Sequence, residues 1–377
     1  MELITIIFCL IVIDYVIFIS LLIYGFTKVK SFEKIDLQPK TTFSIIVPFR
    51  NEEKNFRTLL NSISQLNYPI DLFEIIVIDD FSSDNSEKIF NKWRMENGLI
   101  QTTLLENLRL SNSPKKDAIS RAVPVVKNEW IITTDADCEV PRNWLLAFDN
   151  YIQSHEVEML VGAVNIKAKW NPFHYFQQMD LMSLQGTTIG SFGLKEAFMC
   201  NGANFAYTKN LFNSLGGFNG NAKIASGDDV FLLQKAVKQN AEKVHYLKNI
   251  ESIVLTKPEN NILKLFMQRV RWASKTGSYD SDFAKGLAVV VLLMNASLVV
   301  SFGCWVMGVG SWELIAIAFS LKLLVDYILL LKTNSFLRKG RFLFPIVSSF
   351  IYPFFSSFVG LYSLVGTFTW KDRSFKK

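Results

Sequence analysis

The sequence predicts an α/β domain built on a mostly parallel sheet, with membrane-spanning helices before and after it. Half of the 377 residues are hydrophobic and the mean hydropathy is +0.22, which is more apolar than is usual for a soluble enzyme. Charged residues still make up 20% of the chain, which is too many for a bundle of membrane helices alone. Between the apolar segments, short apolar runs alternate with helical patterns, the order that produces a parallel sheet.

The first predicted element is a membrane-spanning helix over residues 3–26, in which Asp14 is the one charged residue. At about 1.5 Å per residue its length matches the ~30 Å hydrocarbon core of a bilayer. It lacks the basic start and the small-residue cleavage site of a signal peptide. Lys28 and Lys30 follow it, so the positive-inside rule puts the bulk of the chain in the cytoplasm. We therefore expect an integral protein of the cell inner membrane, with residues 1–30 as its N-terminal anchor.

Four apolar runs in the middle of the chain are predicted strands: residues 42–47, 73–78, 102–105 and 130–134. In a parallel sheet the carboxyl ends of the strands meet at one edge, where ligands bind. Acidic residues follow directly after three of these strands, and they are Glu52, Asp80, Asp135 and Asp137. The sequence therefore predicts an acidic site at this edge of the sheet.

Asp135 and Asp137 form a D-x-D pair at the mouth of a buried strand. Two carboxylates so spaced on an extended chain point the same way and are suited to one hard cation, Mg²⁺ or Mn²⁺. The pattern alone is weak, because a chain of this length contains roughly one D-x-D by chance. A second D-x-D, Asp280-Ser281-Asp282, has no strand before it, and solvated loop acids are the plain alternative for both.

The stretch that follows the sheet changes character. Aromatic residues recur in a helical rhythm over residues 170–198, which fits helices at a membrane interface and ordinary core packing equally well. Further on, residues 262–275 are a predicted amphipathic helix, with Gln268, Arg271 and Trp272 on one face. A basic interfacial helix with a tryptophan anchor is the alternative for that pattern.

The last third of the chain is mostly membrane helix. Residues 286–308 and 312–331 are a predicted helical hairpin, in which Lys322 and Asp326 pair at i, i+4. A final apolar stretch, residues 342–368, is too short to cross twice. Either the basic tail after it lies outside, or part of this stretch lies in the interface; both remain open.

Composition excludes other classes of protein. The net charge of +6 suits a surface against anionic lipid, but no dense Lys/Arg block interleaved with aromatics is present, so nucleic-acid binding is not expected. The four cysteines show neither zinc spacing nor a disulfide framework, as expected for reduced thiols in the cytoplasm.

Five motifs, in order, resemble those of the membrane-bound family 2 inverting glycosyltransferases, which include cellulose, chitin and hyaluronan synthases and ceramide glucosyltransferases. They are SIIVPFRNEE (44–53), IIVIDDFSSD (75–84), TTDADC (133–138), GDDV (227–230) and QRVRW (268–272). The resemblance implies a Rossmann-like GT-A fold and a nucleotide-sugar donor, usually a UDP-sugar. It also implies a cytoplasmic catalytic domain over residues 40–260, an interfacial segment over 261–285 and a C-terminal transmembrane region over 286–370.

The resemblance further assigns roles to individual residues. The donor side comprises Pro48, Glu52 and Asp80 at the nucleoside, Lys115 and Lys116 near it, and Asp135 at the nucleotide. Asp137 matches the metal ligand and Asp229 the catalytic base. Gln268, Arg271 and Trp272 match the Q-x-x-R-W motif that closes over the diphosphate and holds the acceptor. The remaining acceptor residues are Asn201, Gly202 and Asp228, although Gly227-Asp228 departs from the family's Thr-Glu and Pro114 from its usual glycine.

Three functions are compatible with these motifs. The first is transfer of a sugar to a membrane lipid or lipid-linked acceptor. The second is processive synthesis of a polysaccharide, for which four spans at most are few, so that a homo-oligomer or a membrane partner would be needed. The third, of another class, is a non-catalytic scaffold that binds a nucleotide, against which the full set of acids argues.

Overall fold

The computed structural model describes residues 2–33, 35–168, 171–221, 224, 226–337, 345–370 and 373–375. The chain divides into two compact units. The sheet unit comprises Lys30–Lys167 and Met199–Lys257. The membrane-helix unit comprises Met1–Val29, Ala168–Phe198 and Pro258–Lys377. The bounds of the four domains expected from the sequence remain predictions. Ala168–Phe198 pack with the membrane helices.

The sheet unit contains a seven-stranded sheet in the order β3-β2-β1-β4-β7-β5-β8 and a second, two-stranded sheet of β6 and β9. The strands are β1 Phe43–Phe49, β2 Phe73–Asp79, β3 Gln101–Glu106, β4 Trp130–Thr133, β5 Met159–Gly162, β6 Val164–Ile166, β7 Phe205–Thr208, β8 Val244–Leu247 and β9 Val254–Thr256. The helices are α2 Phe56–Ser64, α3 Ser86–Glu96, α4 Pro114–Ala122, α5 Trp144–Ser154, α7 Lys209–Ser214 and α8 Asp228–Asn240. The predicted mostly parallel α/β sheet is confirmed, although β7 runs antiparallel to both of its neighbours.

The central strands are apolar on both faces, which is why they appear in the sequence as continuous apolar runs. Ile45, Ile46 and Val47 of β1 are all fully buried. The register pairs Val47 with Val77 of β2, and Ile46 with Thr133 of β4, in parallel. The residues after these three strands therefore emerge at one edge of the sheet, called here the carboxyl edge.

One buried side chain fastens the antiparallel strand to its surroundings. Asn204, just before β7, is fully buried. Its Nδ2 donates to the carbonyls of Ala163 (2.7 Å) and Ser252 (2.8 Å), and its Oδ1 accepts from Nε1 of Trp144 at 2.9 Å. A single amide thus provides the hydrogen-bond partner of three groups from three separate segments. These groups are buried away from water and need such a partner.

Among the residues that the structure describes, the membrane-helix unit contains six α-helices and a pair of short antiparallel strands. The helices are α1 Glu2–Lys28, α6 Pro172–Gly193, α9 Ile262–Ala273, α10 Asp282–Val306, α11 Trp312–Leu337 and α12 Pro345–Val365, and the strands are β10 Phe368–Trp370 and β11 Arg373–Phe375. Within this part of the chain, four helices are long and apolar enough to cross a membrane, namely α1, α10, α11 and α12. Of the last apolar stretch, Pro345–Val365 form one helix with Pro353 inside it. Of the basic tail after it, Lys371, Lys376 and Lys377 lie outside the described residues.

Close backbone contact and a polar cluster hold these helices together. α1 and α6 approach so tightly that a Cβ on Gly190 would lie 2.5 Å from the carbonyl oxygen of Leu22. The predicted pair of Lys322 and Asp326 is present in α11, and the hydroxyl of Tyr15 in α1 donates to Asp326 at 2.6 Å. Polar groups inside an apolar helix bundle need such partners, and the pairing fixes how the helices face each other.

Replacing Asn204 by alanine is expected to destabilise the protein by about 3 kcal/mol or more, because three buried groups lose their hydrogen-bond partner at roughly 1–3 kcal/mol each. For a domain of this size that lowers the unfolding temperature by about 6 °C or more. Thermal unfolding of the purified protein in detergent measures it. Asn61→Ala, at an exposed position of α2, is the control, with a change below about 0.5 kcal/mol. Equal unfolding temperatures for the two variants would contradict the role of Asn204.

Candidate active site

The carboxyl edge gathers acidic side chains from distant parts of the chain around one lysine. Lys115 lies in the first turn of α4. Its Nζ is 2.7 Å from Oδ1 of Asp135, which follows β4, and 3.4 Å from Oδ2 of Asp228, which begins α8. Lys115 thus joins two of the predicted motifs, which are about a hundred residues apart in the sequence.

The charge of Lys115 is fixed by these neighbours. Burial by itself lowers the pKa of a lysine, but the carboxylates of Asp135, Asp228 and Asp229 outweigh it and raise the pKa of Lys115 well above its usual range. The ammonium therefore stays protonated at any physiological pH. Nearby, burial and Asp228 also raise the pKa of the Tyr207 hydroxyl, so that side chain remains a neutral phenol.

Asp229, the predicted base, is held at the N-terminus of α8. Its Oδ1 accepts from the backbone N–H of Val230 at 2.7 Å and its Oδ2 accepts from the backbone N–H of Gly202 at 2.8 Å. These two hydrogen bonds fix both oxygens of the carboxylate in one orientation.

The predicted acceptor loop is seated directly against this group. A Cβ added to Gly202 would lie 3.1 Å from Oδ2 of Asp228 and 3.1 Å from Nζ of Lys115, so a larger residue would press on both groups. The hydroxyl of Thr133, at the end of β4, donates to the carbonyl of Gly202 at 2.6 Å. Asn201 stabilises the turn, since its Oδ1 accepts from the backbone of Ala203 at 3.0 Å.

Two carboxylates and one thiol form a candidate metal site. Ligand atoms of Asp135, Asp137 and Cys138 all lie within 4.8 Å of one another. Cys138 is buried, and burial together with Asp137 and Asp135 raises the pKa of its thiol well above the usual value. The two carboxylates are hard oxygen donors, which fit a cation such as Mg²⁺ or Mn²⁺.

At the end of β2, Asp80 has partners that the sequence did not reveal. Its carboxylate accepts from Nε of Arg109 at 2.6 Å, from Nη2 of Arg109 at 2.9 Å, and from Nδ2 of Asn107 at 2.8 Å. The guanidinium of Arg109 also lies 5.7 Å from the ring centre of Phe81. Arg109 stands in a loop without periodicity, so no local pattern points to its pairing with Asp80.

The other residues of the sheet unit that are predicted to bind the nucleotide-sugar contact neighbouring protein groups at the same edge. Pro48 is half-buried in β1, opposite Ile78 of β2. Glu52 is buried, and its carboxylate accepts from Nδ2 of Asn55 at 2.7 Å. Lys116 is also buried, and its Nζ donates to the carbonyls of Asn221 (2.7 Å) and Ile224 (3.0 Å), away from Asp135.

Gln268, Arg271 and Trp272 belong to α9 of the membrane-helix unit. Nε2 of Gln268 donates to Oε1 of Glu259 at 3.3 Å, and Arg271 is half-buried. The indole of Trp272 lies under the guanidinium of Arg269, whose central carbon is 4.2 Å from the ring centre. Their contact with a donor or an acceptor remains a prediction from the motif.

Comparison with known proteins agrees with this geometry. Residues 44–216 match the family model described as glycosyl transferase family 2. The matched residues make up just under half of the chain, and they resemble a family 2 glycosyltransferase domain.

Individual relatives extend the similarity. The chain is 28% identical over 267 residues to the beta-monoglucosyldiacylglycerol synthase of Trichormus variabilis, covering 68% of this chain and 53% of that protein. It is 30% identical over 119 residues to the poly(ribitol-phosphate) beta-N-acetylglucosaminyltransferase TarS of Staphylococcus aureus, covering 32% of this chain and 20% of TarS. The chain thus spans from one fifth to about half of the length of these relatives.

A solved structure shares the fold. The mannosyltransferase PcManGT from Pyrobaculum calidifontis, in complex with GDP-Man and Mn²⁺, superposes with a TM-score of 0.59 at 17% identity, covering 90% of this chain and 99% of that one. The GT-A fold expected for the glycosyltransferase domain, with helices before and after it, is confirmed.

Two adjacent threonines in the glycosyltransferase domain allow a matched test of the loop contact. Thr133→Val is expected to cost roughly 1–3 kcal/mol, because the buried carbonyl of Gly202 loses its donor. Thr134→Val is the control, since the buried Thr134 hydroxyl has no hydrogen-bond partner among the described residues and its loss is neutral or stabilising. Thermal unfolding compares the two variants. Equal effects of both substitutions would contradict the role of Thr133.

Proposed function

We propose that this protein is an inverting glycosyltransferase. It transfers a sugar from a nucleotide-sugar to a membrane lipid or lipid-linked acceptor at the cytoplasmic face of the membrane. The observation that carries the proposal is the convergence of Asp135, Asp228 and Asp229 on Lys115, beside Gly202 and at the carboxyl edge of the sheet. The match of residues 44–216 to the family 2 model supports it.

The chemistry requires a base, and Asp229 has the geometry for one. An acceptor hydroxyl must lose its proton as its oxygen attacks the anomeric carbon from the face opposite the leaving group. The C–O bond to the diphosphate breaks as the new glycosidic bond forms, so the configuration inverts. Asp229 takes the proton, and the N–H groups of Gly202 and Val230 hold its carboxylate in place. Asp228 and the loop of Asn201 and Gly202 face the acceptor.

The leaving group is a diphosphate, and the acid-rich edge needs cations to hold it. When bound, a divalent cation neutralises the charge that develops on the diphosphate. Asp137 and Asp135 would hold Mg²⁺ or Mn²⁺, as their carboxylates fit such an ion. Lys115 holds one oxygen of Asp135 in place, and Arg271 is assigned by the motif to the diphosphate.

The nucleoside is assigned to Pro48, Glu52 and Asp80, with Arg109 and Asn107 holding the carboxylate of Asp80 in one orientation. The mannosyltransferase that shares the fold was solved with GDP-Man and Mn²⁺, which supports a nucleotide-sugar and a divalent cation as the ligand classes. Which nucleotide and which sugar are bound depends on a few pocket contacts, so a panel is needed.

A lipid acceptor is supported by two observations. Four helices of the chain are apolar enough to cross a membrane, and the relative that covers 68% of the chain is a synthase of a glycolipid, monoglucosyldiacylglycerol. Lys28 at the end of α1 and Lys30 after it support a cytoplasmic sheet unit by the positive-inside rule. Gln268 and Trp272 are assigned to the acceptor and the diphosphate by the motif.

The central experiment is turnover of UDP- and GDP-sugars by the purified protein with Mn²⁺ or Mg²⁺, with a membrane lipid extract as acceptor. Mass spectrometry then separates the products. A lipid carrying one added hexose supports the proposal, and a ladder of polymer lengths supports a processive synthase instead. Nucleotide binding without turnover in any extract would overturn the enzymatic proposal in favour of a scaffold.

Asp229→Asn is expected to lower turnover by roughly 10²–10⁴-fold, the range of a general base, while the affinity for the donor is retained. Steady-state kinetics and calorimetric donor binding measure the two quantities. Asp282→Asn, an exposed aspartate in the first turn of α10, is the matched control and is expected to leave turnover unchanged. Near-normal turnover of Asp229→Asn would exclude Asp229 as the base.

Asp137→Ala is expected to abolish the part of donor binding that depends on the metal, because one of two carboxylate ligands is lost. Calorimetry with and without Mn²⁺ measures that part. Glu139→Ala removes a nearby acid that pairs with Lys167 and should leave the metal dependence intact. If Asp137→Ala binds the donor with an unchanged response to Mn²⁺, Asp137 is not a ligand.

A further inference from the structure

Within α9, Arg269 is a buried residue that the Q-x-x-R-W pattern leaves unspecified. Its side chain is buried, with 6% of its surface exposed, and its Nε pairs with the equally buried carboxylate of Asp180 in α6. Its Nη1 donates to Oε1 of Gln268. The same guanidinium lies 4.2 Å from the ring centre of Trp272. One side chain therefore touches two of the three residues that the motif does specify.

The orientation of the Gln268 amide depends on this contact. Its Nε2 donates to Oε1 of Glu259 at 3.3 Å, while its Oε1 accepts from Arg269. Glu259 is itself fixed, because the buried amide of Gln177 in α6 bonds both its carbonyl and its N–H at 2.8 Å. Because the Gln268 amide is bound through both its nitrogen and its oxygen, it has one orientation. Without Arg269, Oε1 of Gln268 loses the donor that sets this orientation.

The Trp272 indole is oriented by a different part of the guanidinium. Arg269 and Trp272 are three residues apart on a helix and share a face, so the planar cation lies over the ring. Asp180 binds the guanidinium from α6 and fixes the plane that the indole meets. A lysine keeps the charge but has no planar group with which to hold both partners.

A buried ion pair of this kind adds little net stability, because desolvation of both charges offsets their attraction. The pair does fix the orientation of the groups that it contacts. We propose that Arg269, held by Asp180, is a positioning residue that orients Gln268 and Trp272 for the transfer reaction. This inference rests on the proposed function, and its test has one readout that does not.

Arg269→Lys and Asp180→Asn are expected to lower kcat by roughly 10–100-fold, the usual effect of removing a partner that orients a reacting group, while KM for the donor changes less than threefold. Asp180→Glu keeps a carboxylate and should recover most of the loss. The matched control is Asp326→Asn, which breaks the buried pair with Lys322 in α11 and should leave kcat per folded protein within about twofold.

A double-mutant cycle tests whether Arg269 acts through Trp272. In a Trp272→Ala background, Arg269→Lys should lower kcat by a smaller factor than in the native protein, since the ring that it orients is gone and only its contact with Gln268 remains. Equal factors in both backgrounds, or a fall in kcat that only follows the loss of folded protein as in Asp326→Asn, would overturn the inference.

The readout independent of turnover is fluorine NMR of protein labelled with 5-fluorotryptophan. The Trp272 resonance is the one missing from Trp272→Phe. It should shift in Arg269→Lys and Asp180→Asn and stay in place in Asp326→Asn; an unmoved resonance in the first two overturns the positioning role. Absence of turnover in the native protein would count against the proposed function alone, because this resonance still decides the role of Arg269.

Discussion

The site of this protein depends on one ammonium group. Four carboxylates, those of Asp135, Asp137, Asp228 and Asp229, come to one edge of the sheet, and without a cation their mutual repulsion opposes folding. The ammonium of Lys115 offsets this repulsion, because it contacts Asp135 after β4 and Asp228 at the start of α8. The pKa of Lys115 is raised for the same reason, since the attraction of the carboxylates exceeds the cost of burying the charge.

This arrangement restricts the chain around it. Gly202 has Nζ of Lys115 and Oδ2 of Asp228 on the side where a Cβ would stand, so a larger residue would have to push both groups back by a few tenths of an ångström. Its carbonyl must then be satisfied from the other side, and Thr133 does so from the last position of β4. Its N–H is used by Asp229. The loop backbone therefore serves as part of the site and carries little freedom to move.

How much of this the sequence could predict follows from the range of each interaction. β1, β2 and β4 were predicted because buried parallel strands are continuous apolar runs, and the acids after them share an edge by topology alone. The pair Lys322–Asp326 was predicted because i, i+4 spacing is local. The antiparallel direction of β7 was not predicted. Strand direction depends on pairing with β4 and β5, which a short apolar run in the sequence does not encode.

The side-chain pairings that the sequence did not reveal share one property. Arg109 meets Asp80 and Arg269 meets Asp180 across sequence separations of 29 and 89 residues, with no periodicity to connect them. In each case a buried carboxylate is bound by an arginine, through two nitrogens at Asp80 and through Nε at Asp180. Such a pair fixes orientation more than it adds stability. The charged pairs beside predicted donor and acceptor residues are therefore better explained by the need to hold a neighbouring group in one direction.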